Sequence, residues 1–114
     1  MIIKRELQEK IEARLTAGKA ILLFGPRRVG KTMLIGEILR KYPDRKMVLN
    51  GEDSTALALL ADRSIANCSN LLNNIDLLVI DEAQNIPQIG NILKLIVDEI
   101  PGIKVLASGS SSFD

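Results

Sequence analysis

Apolar residues recur at every fourth position through Ile3, Leu7, Ile11 and Leu15, and the pattern stops at Ala17-Gly18. That spacing is one face of an α-helix, so an amphipathic N-terminal helix is predicted whose stripe packs on a sheet. The run Ala20-Ile21-Leu22-Leu23-Phe24 then reads as a buried strand. A second helix is predicted over 31–41, burying Leu34, Ile35, Ile38 and Leu39 until Tyr42-Pro43 stops it. Lys46-Met47-Val48-Leu49 forms a short second strand closed by Asn50-Gly51, after which Ser54 is expected to cap a helix running through Leu60. The stretch 62–74 is polar, with only a weak helical pattern.

Leu77-Leu78-Val79-Ile80 is wholly apolar, as expected of a central parallel strand covered on both faces. Beyond Pro87, the positions Ile89, Ile92, Leu93, Ile96, Val97 and Ile100 follow a 3.6-residue period up to Pro101-Gly102, and Ile103-Lys104-Val105-Leu106-Ala107 makes a fourth strand. Strands alternating with helices imply an α/β fold, a parallel sheet flanked by helices. The pattern holds no repeat, low-complexity tract or linker, so residues 1–114 read as a single domain.

Composition narrows the setting. With 46% hydrophobic residues the 114-residue chain can build one core, yet it is short for a nucleotide-hydrolysing α/β fold. Fifteen basic against fourteen acidic residues leave a net charge of +1, so no global field draws the chain to nucleic acid or membrane. Its aromatics are Phe24, Tyr42 and Phe113, too few to interleave a basic stripe for stacking on bases, so a nucleic-acid partner is not expected. Cys68 is the single cysteine and there is no histidine, which excludes an internal disulfide, a Cys/His zinc site and a histidine base. No apolar run approaches the ~18 residues of a membrane span, and the charged start has no signal-peptide shape. A soluble, cytoplasmic protein is expected.

The first chemistry-bearing motif follows the first strand. Gly25, Pro26, Arg27, Arg28, Val29, Gly30, Lys31 and Thr32 form a complete Walker A phosphate loop, GPRRVGKT. Such a loop wraps a phosphate with backbone N–H groups while the next helix aims its positive end at the same charge. Lys31 would reach the β- and γ-phosphates, and the Thr32 hydroxyl would hold a Mg²⁺ that keeps most of its other ligands as water and phosphate oxygen. Arg27 and Arg28 add positive potential to the loop without an assigned partner.

The second motif is Asp81-Glu82, directly after the buried run 77–80 and so at the C-terminal end of a strand, where parallel sheets bind ligands. Asp81 is placed to hold the magnesium shell, in the manner of Walker B, and Glu82 to polarise an attacking water in line with the γ-phosphate. The pair disfavours a small-molecule kinase. After the fourth strand comes Ser108-Gly109-Ser110-Ser111-Ser112, in which Ser108, or failing it Ser110, would sense the γ-phosphate from between the strand ends. Gln84 would touch the γ-phosphate or couple it to a neighbouring segment; solvated polarity is the other reading.

These segments together resemble the AAA-type ATPases of bacteria and archaea in which the ATPase domain precedes an uncharacterised, nuclease-like C-terminal domain. The carrying residues are GPRRVGKT (25–32), LLVIDEAQNIP (77–87) and IKVLASGSSSF (103–113), in the order and at the spacing of that group. The resemblance implies a P-loop NTPase sheet of strand order 5-1-4-3-2, and ATP binding with Mg²⁺-dependent hydrolysis. It also implies Lys31 and Thr32 at the phosphates and metal, Asp81 at Mg²⁺, Glu82 as catalytic carboxylate and Ser108 as sensor. ATP in preference to GTP is likewise an implication of the resemblance. Members of the group are several times longer, so the chain is expected to be a truncated ATPase domain lacking the fifth strand, helical lid and arginine finger. The strand 20–24 would then be an apolar edge open to self-association or to the missing C-terminal domain. Weak turnover is expected, since an arginine finger contributes about 10³ to 10⁵ in rate. The alternative is a non-hydrolysing nucleotide-binding remnant or interaction module.

Overall fold

A computed structural model describes residues 2–25, 31–42 and 45–110. In chain order the elements are α1 (Ile2–Arg14), β1 (Lys19–Phe24), α2 (Lys31–Lys41), β2 (Lys46–Asn50), α3 (Ser54–Leu59), α4 (Ile65–Leu71), β3 (Leu77–Asp81), a 3₁₀ turn (Ala83–Asn85), α5 (Ile89–Glu99) and β4 (Lys104–Gly109). The four strands form one parallel sheet of order β1-β4-β3-β2. This is the α/β sheet read from the sequence, with β3 and β4 in its centre.

Alternation along the two central strands divides the core. On one face Leu78, Ile80, Val105 and Ala107 pack with Ala56, Leu60, Cys68, Leu72, Ile92 and Ile96 from α3, α4, α5 and their ends. On the other, Leu77, Val79 and Leu106 pack with Ile11 of α1, Leu15 just beyond it, and Leu34, Ile35 and Ile38 of α2. Residues 77–80 are fully buried, as their unbroken apolar run requires.

Several local details differ from the pattern reading. The N-terminal stripe is covered unevenly: Ile11 and Leu15, the latter just past α1, are buried, whereas Leu7 is 39% exposed. Asp53, not Ser54, caps α3, its carboxylate accepting from the Thr55 N–H at 3.0 Å; both types cap well, and the bend after Asn50 puts the acid in the extended conformation a cap needs. Inside the weakly patterned stretch 62–74 lies α4, capped by Ser64 through the Asn67 N–H at 3.1 Å. β4 runs two residues further than expected, so Ser108 and Gly109 belong to the strand. β1 is an edge of the described sheet, with Leu22 45% exposed. No helix among the described residues is long and apolar enough to cross a membrane.

Candidate functional site

Register positions the site. β4 pairs with β1 so that Leu23 lies beside Ser108 and Phe24 beside Gly109, and with β3 so that Ile80 lies beside Ala107. The C-terminal ends of three adjacent strands therefore align, and α2 begins at the same end with Lys31.

Lys31 is only 5% exposed. A buried ammonium must be paired or fully hydrogen-bonded, and here its Nζ donates to the carbonyl oxygens of Gly25, at 2.6 Å, and Gly109. The Gly25 N–H also donates to the Gly109 carbonyl, at 3.3 Å. The loop is thus pinned at both its ends to the end of β4. Pro26, Arg27, Arg28, Val29 and Gly30 lie outside the described residues, as does the side chain of Thr32.

Asp81 is the last residue of β3 and half-buried. Its Oδ1 accepts from the Ser108 hydroxyl at 2.6 Å and from the Glu82 N–H at 2.9 Å. Ser108 is completely buried, so this short charge-assisted bond satisfies its hydroxyl and restricts the Asp81 rotamer together. The chain then turns sharply: Glu82 adopts the left-handed conformation at φ 51° and ψ 44°, unusual for a residue with a side chain and a signature of locally constrained sites. The turn is clamped by Gly51, whose N–H donates to the Asp81 carbonyl at 2.8 Å. A Cβ at position 51 would lie 2.1 Å from the Glu82 carbonyl oxygen, so only glycine fits under this peptide.

The Glu82 side chain is buried, and its Oε1 accepts from Gln84 Nε2 at 2.8 Å. The same nitrogen donates to the Ser110 hydroxyl at 3.0 Å. Among the residues singled out from the sequence, Lys31, Asp81, Glu82, Gln84, Ser108 and Ser110 therefore converge on one end of the sheet. Ser108 bonds Asp81 directly, and Ser110 is linked to Glu82 through Gln84. Sequence reasoning missed Gly51 and Gly109. Gly51 was legible only as a turn residue, and Gly109 acts through its carbonyl, which leaves no side-chain signal.

The donor set is one of hard oxygens beside the buried Lys31 ammonium. No group of three or more His, Cys, Asp or Glu able to cage a metal occurs among the described residues. Hard oxygen donors are the kind Mg²⁺ takes, through one or two carboxylates plus substrate phosphates and water.

The sequence matches the AAA domain family over residues 17–114. The chain is an AAA domain. AAA domains are nucleotide-binding modules of the ATPase type. Two similar relatives are the uncharacterised proteins Mb2031c of Mycobacterium bovis and Rv2008c of Mycobacterium tuberculosis, each 30% identical over 115 residues. These matches cover all of this AAA domain but 25% of each relative, so the chain spans about a quarter of the relatives' length. Among solved structures it is similar to the replication initiator DnaA bound to AMPPCP and single-stranded DNA, with a TM-score of 0.57 and 20% identity over 93% of this chain and 37% of that one. The likeness shows the AAA fold.

Proposed function

We propose that residues 1–114 act as one ATPase domain that binds Mg²⁺-ATP at the C-terminal end of the sheet and hydrolyses it. The observation that carries the reading is the buried Lys31 ammonium held on the strand-end carbonyls of Gly25 and Gly109, next to a β4 whose Ser108 is bonded to Asp81. An ammonium carries three N–H donors; with two on carbonyls, the third is the one for a β- or γ-phosphate oxygen. The N-terminus of α2 adds its own partial positive charge.

Asp81 and Thr32 are the residues that would hold Mg²⁺, which supplies neutralisation of charge developing on the transferred phosphoryl group. Ser108 keeps Asp81 in one rotamer and is thereby sensitive to what that carboxylate meets. Glu82 accepts a proton from the attacking water, a general-base role typically contributing about 10² to 10⁴ in rate. The DnaA structure is bound to single-stranded DNA, so the fold itself does not exclude a nucleic-acid partner. The sparse aromatics of this chain therefore argue only against base stacking.

Steady-state phosphate release with Mg²⁺-ATP tests the reading, beside Glu82→Gln. Turnover in the wild type and its loss by about 10²-fold or more in the variant is the expected result. Equal rates in both would remove Glu82 from catalysis, and nucleotide binding with no turnover in either would leave a non-hydrolysing module.

A further inference from the structure

We propose that Gln84 is a positioning residue of this site, a strut that fixes the Glu82 carboxylate and ties it to Ser110 just beyond β4; the inference rests on the ATPase reading above. A glutamine amide has two N–H donors on one nitrogen, and here both are spent, one on Glu82 Oε1 at 2.8 Å and one on Ser110 Oγ at 3.0 Å. The orientation is dictated by chemistry. A hydroxyl accepts or donates equally well, so Ser110 is satisfied by either end of the amide. A carboxylate only accepts, and a flipped amide would set oxygen against oxygen at Glu82.

The amide keeps this orientation at a visible cost: Gln84 Oε1 is buried without a hydrogen-bond partner among the described residues. Native proteins rarely leave such an atom, so the charge-assisted bond to Glu82 is the interaction that decides where the amide points. Its base is rigid as well. Gln84 sits in the 3₁₀ turn between Ala83, fully buried, and Ile86, 3% exposed. A side chain rooted in the core and bonded at its tip to two partners transmits position.

The arrangement links one strand end to both acids. Ser108 bonds Asp81 directly, and Ser110, two residues on, reaches Glu82 through Gln84. A displacement at the end of β4 is therefore felt by both carboxylates together. Without the Gln84 amide both acids remain and Lys31 still holds the phosphates, but the Glu82 carboxylate loses the bond that ties it to Ser110. The signature is a loss of rate with affinity preserved, since misplacement of a catalytic group by about 1 Å costs on the order of 10²-fold.

Two measurements on the wild-type chain and on Gln84→Leu, Ser110→Ala and Glu82→Ala test this. In ¹⁵N–¹H spectra, the Gln84 side-chain amide should be shifted from the free-glutamine position and exchange slowly, and Ser110→Ala and Glu82→Ala should each move it. In single-turnover hydrolysis, Gln84→Leu should lower the rate about 10- to 100-fold while the Kd for a fluorescent ATP analogue stays within about twofold. Gln84→Asn, one methylene shorter, should not restore the rate. A Gln84 amide at the free position, indifferent to both partner substitutions, would overturn the strut, as would wild-type turnover in Gln84→Leu. Should that variant fail to fold, the spectrum of Ser110→Ala decides. A wild type that hydrolyses nothing but shows the shifted, partner-sensitive amide overturns the ATPase reading alone.

Discussion

Gly51→Ala is the substitution for which the structure works out a magnitude most directly. A Cβ at this position would stand 2.1 Å from the Glu82 carbonyl oxygen and 3.0 Å from the carbonyl carbon, whereas Cβ contacts under 3.0 Å essentially never occur. The obstacle is backbone, so no side-chain rotation relieves it, and the two segments must separate by about 1 Å. Separation weakens the Gly51 N–H bond to the Asp81 carbonyl. Overpacking of this kind costs about 1–3 kcal/mol and a lost hydrogen bond about 1 kcal/mol. Reduced entropy of the unfolded chain returns about 0.4–1 kcal/mol. The net loss is about 1–3.5 kcal/mol, a fall in Tm of roughly 4–15 °C for a domain near 100 residues. Urea unfolding followed by circular dichroism measures it. Gly36→Ala is the internal control: position 36 is exposed within α2 with nothing within 4 Å of an added Cβ, so helix propensity should make that variant more stable by about 0.5–1 kcal/mol. A Gly51→Ala midpoint equal to wild type, with Gly36→Ala behaving as stated, would refute the claim that glycine is required beneath the Glu82 turn.

Lys31→Met should abolish the nucleotide-dependent rise in Tm, whereas wild type at ligand 100 times its Kd gains about 2.7 kcal/mol; differential scanning fluorimetry with and without Mg²⁺-ATP reads the difference. Burial, and secondarily the Asp62 charge, raises the Cys68 thiol above its ordinary value, so the folded state favours the protonated form. That contribution to stability is fully present below the unfolded thiol range near ~8.5 and is lost as pH rises above it. Cys68→Ala should flatten the alkaline limb of the stability profile, and native Cys68 should resist alkylation at pH 7 until the chain is unfolded.

The elements were legible where one segment carries its own signal. The unbroken apolar run 77–80 announced a central strand, the 3.6-residue period through Ile89, Ile92, Leu93 and Ile96 announced α5, and the loop motif announced the helix that begins at Lys31. What was not legible depends on contacts across the chain. Gln84 and Ser110 are 26 residues apart, and only the alignment of β3 with β4 brings them within 3.0 Å. Gly51 looks like any turn glycine until the Glu82 peptide is laid over it. Between Asp53 and Ser54 local chemistry could not choose, because both side chains cap well and the decision falls to the backbone bend before them. Leu7 repeats the helical spacing faithfully, yet whether such a position is covered is a property of the partner surface.

The placement of the acids follows from the core itself. Side chains alternate across a strand, so Leu77 and Val79 face α2, Leu78 and Ile80 face α5, and the next residue on the α2 side is Asp81. On β4, Leu106 faces α2, Val105 and Ala107 face α5, and the next residue on the α2 side is Ser108. The register pairing Ile80 with Ala107 then sets Asp81 next to Ser108, on the face where α2 begins with Lys31. A slip of β4 by one residue would send Ser108 toward α5, leaving a buried hydroxyl to find a new partner at a cost of about 1–3 kcal/mol. It would also reverse the facing of Val105, Leu106 and Ala107 together, and the energy of the whole sheet opposes that. The apolar pattern that stabilises the domain is therefore the same constraint that aims the carboxylate and the hydroxyl at each other, so core substitutions that loosen β4 should disturb the site before they unfold the chain.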